Sequence, residues 1–144
     1  MILKFVDFNK IIFSCLRGGI VTPFFGLSLA SNFRFATEEM SYMLAHRKFG
    51  LHPTGALPFF LKHYVSWSKQ NEILYQLEDI KAAEAKALGM IDKIFPDEDF
   101  EARCLDEVNR IVELNRGSAC QTRLLMGFPI SDLINYFDRE GLFI

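Results

Sequence analysis

The sequence predicts an α/β protein in which short strands and buried helices over residues 1–96 hand over to a helical region over 97–144. Three observations predict it. Ile11-Ile-Phe-Ser-Cys-Leu16 is rich in branched and aromatic residues and ends at Arg17-Gly18-Gly19, the pattern of a strand buried on both faces followed by a turn. The uncharged stretch after it contains Thr22-Pro23, a favoured N-cap followed by a favoured first helical residue, so a buried helix is expected from Pro23 to about Ser31. Beyond Asp97, Leu105, Val108, Ile111 and Val112 recur at the spacing of an amphipathic helix, which Gly117 ends.

The other elements follow in chain order. Phe33-Arg-Phe-Ala36 alternates and reads as a second strand, and Ser41-Tyr-Met-Leu44 as a short third one. Gly50, Pro53 and Gly55 mark an irregular loop. Helices are expected over 56–65 and 69–77. Another is expected over 79–89, with Asp79 as cap, alanine-rich turns and Gly89 as stop. Met90 to Phe95 reads as a strand closed by Pro96. Ser118-x-x-Gln121 has the form of a capping box, and Ser131 starts a last helix with Leu133, Ile134 and Phe137 on its apolar side.

Composition narrows the function. A chain of 144 residues that is 50% hydrophobic can bury one core of its own. Its net charge of −2 comes from interspersed acids and bases, with no basic stripe to neutralise a row of phosphates, so nucleic-acid binding is not expected. Cys15, Cys104 and Cys120 match neither a zinc pattern nor a disulfide framework and read as reduced, buried thiols. The histidines His46, His52 and His63 offer no i,i+4 pair, and no metal site is expected. The apolar stretch from Gly18 to Phe33 is broken by Pro23 and several glycines and is too short to span a bilayer, and the N-terminus lacks the form of a signal peptide. A cytoplasmic protein without a membrane segment is expected.

Three segments carry a family resemblance. Arg17-Gly-Gly-Ile-Val-Thr-Pro-Phe-Phe-Gly-Leu-Ser-Leu-Ala-Ser-Asn-Phe-Arg-Phe-Ala36 resembles the stretch N-G-x-A-x-G-G-G-x-E-L-A-L-A-C-D-x-R-I-A of the crotonase (enoyl-CoA hydratase/isomerase) superfamily. Lys48-Phe-Gly-Leu-His-Pro53 is similar to that family's K-x-G-x-x-P loop, and Ala83 to Ile94 to its A-x-E-A-x-x-L-G-L-V-D-x-V segment. The resemblance implies a partial spiral of ββα units, followed by a C-terminal helical oligomerisation region. It also implies a substrate, acyl-CoA or an acyl-carrier pantetheine thioester, whose enolate is held by two backbone N–H groups, with no further cofactor. One of those donors lies at the N-terminus of the helix beginning near Pro23, where unpaired N–H groups favour a developing negative oxygen.

The site residues depart from the family pattern. In register with Asn32, Gly26 stands at the first catalytic glutamate and offers no acid or base. The second glutamate falls at His46, which can transfer protons near neutral pH; the competing reading is a loop histidine without a role. Pro23 occupies the position of an oxyanion donor and has no N–H; a slip of one residue puts Phe24 there. Phe24 and Phe25 are candidates to line an acyl pocket, against the plainer reading as core. By resemblance to the family's terminal helix, Tyr136 and Arg139 would reach the CoA, whereas a solvated arginine beside Asp138 and Glu140 is the alternative. Arg34, between two phenylalanines, reads as a structural residue paired at a strand edge.

Losing both glutamates removes the usual means of adding water, so isomerisation or decarboxylation is expected over hydration. The segments 25–32 and 42–53 resemble the decarboxylases of polyketide β-branching. The family places further ββα units before the point where this chain begins. A homo-oligomer, or a partner chain that supplies the missing units, is therefore expected. The rival expectation is a non-catalytic, truncated oligomerisation module, in which Gly26→Glu and His46→Ala would both be silent.

Overall fold

The computed structural model describes residues 1–143. It opens with a short helix, α1 (Ile2–Val6), which the sequence patterns did not signal. β1 (Phe13–Leu16) and β2 (Gly19–Val21) follow, separated by Gly18, whose φ of 69° turns the chain in the left-handed region that a side chain would resist. Helix α2 (Thr22–Leu29) starts one residue earlier than its proline suggests. Thr22 is its first residue and not its cap: Val21 holds the extended cap position, which frees the threonine hydroxyl for another partner.

β3 (Phe33–Thr37) and β4 (Ser41–Met43) lead into a 3-10 turn, Ala45–Phe49, then α3 (Leu57–Leu61) and α4 (Trp67–Tyr75). Ser66 caps α4 by accepting a hydrogen bond from the Lys69 N–H at 3.2 Å, and the helix starts two residues before the expected position. The helix expected from Asp79 is divided: Asp79–Lys81 is a strand, β5, and α5 runs only over Ala82–Ala87. Ile80 decides this, because pairing with Tyr42 of β4 buries it in the core. β6 (Lys93–Phe95) completes the strands. The chain ends in α6 (Phe100–Leu114), α7 (Ala119–Met126), α8 (Ile130–Glu140) and a 3-10 turn, Gly141–Phe143.

The strands form two small sheets. One is parallel, in the order β1-β3-β6; the other, β2-β4-β5, pairs β2 with β4 in parallel and β4 with β5 antiparallel. β3 is central, so its residues from Arg34 to Thr37 are buried on both faces instead of alternating. β1 is an edge and, against expectation, is not buried on both faces: Cys15 is exposed. Cys120 is exposed as well, and only Cys104 is a buried thiol. The main core joins Phe25, Leu29, Tyr42, Leu57, Phe60 and Ile80 with Leu133 of the last helix. A second cluster seats Phe100, Cys104 and Ile111 of α6 on Phe35. Leu105 and Val112, expected on the buried side of α6, face outward at 59% and 47% exposure, because the helix is rotated toward Cys104.

Two buried arginines tie distant segments together. Arg34 donates to the Ser31 carbonyl at 2.6 Å and to Asp92 at 3.2 Å, and its guanidinium lies over the Tyr64 ring. It is thus a buried structural residue of a central strand. Arg123 of α7 donates to the carbonyls of Phe5, Val6 and Phe8 at 3.3–3.5 Å, closing the C-terminal end of α1. Arg123→Ala is expected to cost about 1.5–3 kcal/mol, the range for hydrogen bonds to a charged group. Amide hydrogen exchange should then show residues 2–6 losing protection well before the core.

Beyond α6, the helical region folds back on α3. Phe128 packs edge-on against Phe60, with ring centroids 5.1 Å apart, and Tyr136 lies 5.7 Å from the Phe59 ring. Thus Phe59 and Phe60 are core residues. Ile134, expected on the apolar side of α8, is 44% exposed, while Leu133 is fully buried. Ser118 makes no capping bond through its side chain, and Pro129 precedes α8 in the cap position. Among the described residues no helix is long and apolar enough to cross a membrane.

Candidate active site

The site begins with the hydroxyl that α2 does not use as a cap. Thr22 is buried, with Oγ1 3.1 Å from Nδ1 of His46 and 3.3 Å from the Met43 carbonyl. A carbonyl only accepts. Satisfying both contacts at once puts the hydroxyl proton on the Met43 side and a proton on Nδ1, and leaves Nε2 of His46 as the basic nitrogen. His46 itself is held in the 3-10 turn after β4, 7% exposed. Arg47 anchors that turn by donating to the Tyr75 and Leu77 carbonyls at the end of α4.

Burial lowers the pKa of His46 below the usual histidine range; the Arg47 charge adds to this, a contact with the Leu74 backbone opposes it, and His52 adds a smaller depression. The ring is therefore neutral near pH 7, the state a general base requires.

His46 lines a cavity of about 750 Å³. One wall comes from α4, through Trp67, Leu74 and Tyr75, and is braced to α3 by Gln70, which donates to the Pro58 carbonyl at 2.9 Å. The end of α8 contributes Tyr136, Arg139 and Glu140 to the same lining. Tyr136 and Glu140 stand one helical turn apart, with Oη and Oε1 separated by 3.4 Å. Burial raises the pKa of Glu140 above the usual carboxylate range, against opposing effects of the Ala56 backbone, His52 and Tyr136. Burial also raises the Tyr136 phenol, and the neighbouring Glu140 adds to it.

Three of the residues singled out in the sequence thus meet at one cavity: His46, Tyr136 and Arg139. The others do not line it. Pro23 and Phe24 are exposed, Phe24 at 57%, and Phe25 is fully buried in the core with its ring stacked on Tyr42 at 3.8 Å. Gly26 is buried beneath the loop that enters α3. A Cβ at Gly26 would lie 2.1 Å from the Gly55 carbonyl oxygen, and one at Gly55 would lie 2.6 Å from the Pro23 Cα. The two glycines let α2 and the loop touch through their backbones. That approach fills the place where a longer side chain would have to go.

The sequence does not signal the roles of Thr22, which orients His46 from behind the cavity lining, or of Glu140, which lines it. Thr22 was read as a cap. Glu140 was seen only as a neighbour of Arg139, although its i,i+4 spacing from Tyr136 already put both on one helical face.

The comparisons agree with this architecture. Against curated proteins the chain has no match. Among solved structures it is similar to an enoyl-CoA hydratase/isomerase from Pseudoalteromonas atlantica T6c, with a TM-score of 0.88 and 20% identity over 99% of this chain and 58% of that one. An enoyl-CoA hydratase from Bacillus halodurans gives a TM-score of 0.87 and 19% identity, covering 99% and 57% of the two chains. A Thermobifida fusca YX protein in complex with acetoacetyl-CoA gives 0.78 and 20%, covering 87% and 49%. The chain therefore spans about half to three fifths of the length of these structures. The family model described as enoyl-CoA hydratase/isomerase matches residues 1–127. With that match over most of its length and the shared arrangement of strands and helices, the chain belongs to the enoyl-CoA hydratase/isomerase family of the crotonase superfamily.

Proposed function

We propose that the chain, as an enzyme or as one subunit of it, binds an acyl-CoA or a related pantetheine thioester and stabilises its enolate, with isomerisation or decarboxylation as the reaction instead of hydration. The observation that carries this reading is the buried, neutral His46, oriented by Thr22 and opening on a largely apolar cavity. Such a base can take a proton from the carbon beside a thioester carbonyl. Arg139 at the cavity wall offers a fixed cation to an anionic part of the ligand. The family's first glutamate has no counterpart here, and the packing around Gly26 leaves no room for one, which speaks against activating water in the family's manner. Two similar solved structures support the ligand class: both are enoyl-CoA hydratase structures from Thermobifida fusca YX, one in complex with acetoacetyl-CoA and one with CoA.

The second reading is an assembly module that has kept the fold and lost the chemistry. It is favoured by Leu124, Leu125 and Met126 of α7, which stand 66–88% exposed and fit an interface with another copy or with a chain that completes the fold. Titration calorimetry of the full chain with acetyl-CoA, acetoacetyl-CoA and crotonyl-CoA separates the two. Saturable heat with at least one thioester, weakened by Arg139→Ala, supports the first. An oligomer by sedimentation that gives no heat and no thermal shift with any of them supports the second and overturns the first.

A further inference from the structure

Two thiols that stand 89 positions apart in the chain come together where α6 packs on the edge strand β1. Phe13 and Cys15 of β1 pair in register with Phe33 and Phe35 of β3, so these four side chains share one face of the sheet. That face is the one α6 covers: Phe100, Cys104 and Ile111 seat on Phe35, and Phe13 and Val108 pack against the same cluster. β6 runs parallel to β3 and β1, and α6 returns from its end in the opposite direction. Arg17 sets the register between strand and helix, because its guanidinium lies 5.5 Å from the centre of the Phe100 ring and its Nε pairs with Asp97 at 2.9 Å. From Arg17, two residues back along the strand is a step of about 6.6 Å and reaches Cys15. From Phe100, four residues along the helix is a step of about 6 Å and reaches Cys104. The matched steps bring the two thiols face to face. Cys104 registers its neighbour: burial raises the pKa of its thiol, Cys15 adds to the rise, and the Arg17 charge opposes it.

We propose that Cys15 and Cys104 form a modification site for low-molecular-weight disulfides such as glutathione disulfide, at which an intramolecular disulfide clamps α6 to the edge of the sheet. The inference is independent of the thioester reading. Unequal access sets the order of reaction: Cys15 is exposed on the edge strand, whereas Cys104 is 3% exposed within the cluster. An external reagent therefore meets Cys15 first. The Cys15 thiolate attacks one sulfur of glutathione disulfide, which gives a mixed disulfide at Cys15 and releases a glutathione thiolate. That thiolate takes up the proton of Cys104. The Cys104 thiolate then attacks the Cys15 sulfur, forms the bond between the two residues and expels the second glutathione. Two protein thiols are oxidised to one disulfide, glutathione disulfide is reduced to two thiols, and the two protein thiol protons end on them. Capping Cys15 also removes its charge from beside Cys104, while the Arg17 cation stays near the thiolate that must form.

The test uses the full chain with Cys120→Ser, which removes the third, exposed thiol and leaves only the pair. The folded protein is incubated with glutathione disulfide, quenched with acid and alkylated, and its peptides are mapped by mass spectrometry. Most molecules are expected to yield a peptide pair joined through Cys15 and Cys104 that dithiothreitol separates. The oxidised chain should melt roughly 5–12 °C above the reduced one, the effect of closing so long a loop. Adding Cys104→Ala should stop the reaction at the glutathione adduct of Cys15. Adding Cys15→Ser instead should slow glutathione uptake at least about tenfold, because burial shields Cys104 from the reagent. A Cys120→Ser chain that stays unmodified, stops at the adduct or forms dimers through Cys15 overturns the inference, since the two thiols then do not face each other. So does a bridged chain that melts no higher than the reduced one, which would mean that the bond distorts the packing of α6. The peptide map of the Cys120→Ser chain decides the matter even where Cys104→Ala folds poorly.

Discussion

Gly26→Glu is expected to destabilise the fold severely and to restore no hydratase activity. Even the first atom of the new side chain would meet the Gly55 carbonyl oxygen at 2.1 Å and the Leu57 nitrogen at 2.9 Å. Both are backbone atoms, so no rotamer change relieves the contact; α2 and the α3 loop must separate. Overpacking of a core typically costs about 1–3 kcal/mol, and a clash between two backbones stands at or above the top of that range. For a chain of this size about 3 kcal/mol lowers the melting temperature by roughly 6–12 °C. Gly26→Ala isolates the steric part. It should lose most of that stability without adding a charge, as measured by thermal melting followed by circular dichroism. A melting temperature within about 2 °C of the parent for Gly26→Ala would show that the two elements are free to move apart. Position 26 is an acid in the family pattern and a packing glycine in this chain.

The second large effect concerns His46. Under the proposed mechanism His46→Ala removes the base, and α-proton exchange of a bound thioester should fall by about 10² to 10⁴, the usual contribution of general acid–base catalysis. In barrier terms this is about 3–5 kcal/mol. Thr22→Val keeps the volume but removes the partner of Nδ1, so the ring loses its orientation while its basic nitrogen survives. An intermediate loss is expected, with thioester binding little changed. The pH dependence has a definite sign. The folded pKa of His46 lies below its unfolded value of about 6.5. Its stabilising effect is thus complete above that value and is lost as pH falls toward the folded pKa, because the unfolded chain takes up a proton that the folded site refuses. His63 is depressed by burial as well, with Lys62 adding to it, and acts in the same direction. Activity follows the same course, since only the neutral imidazole can accept the proton. Exchange rates should be level near neutrality and fall on acidification, and a profile that rises on acidification would exclude His46 as the base.

Some of this was legible along the chain and some was not. Glycine and proline marked the β1 turn, the start of α2 and the loop before α3, because each restricts the backbone where it stands. Local signals misled where pairing overruled them. Asp79 to Lys81 has the look of a capped helix start, yet the backbone of Ile80 completes a sheet with Tyr42 and its side chain fills the core. Leu105 and Val112 suit an apolar helix face, but the helix turns Cys104 and Ile111 to Phe35 instead. In the site, register alone brought out His46, while Thr22 was assigned to a cap that Val21 occupies. Glu140 reads along the chain as a neighbour of Arg139, because its partial withdrawal from water comes from the fold.

The sequence by itself determined the family, the strand and helix order of the first 96 residues in outline, and the absence of a carboxylate at position 26. These are properties of residue identity and spacing, which the chain carries before it folds. Only the tertiary structure decided that Gly26 is a point of backbone contact, that Phe25 belongs to the core, and that α8 returns to bring Tyr136, Arg139 and Glu140 to one cavity with His46. The reason is physical. Close approach, burial and the shifts in proton affinity that burial brings belong to pairs of segments, and 94 positions separate His46 from Glu140 in the chain.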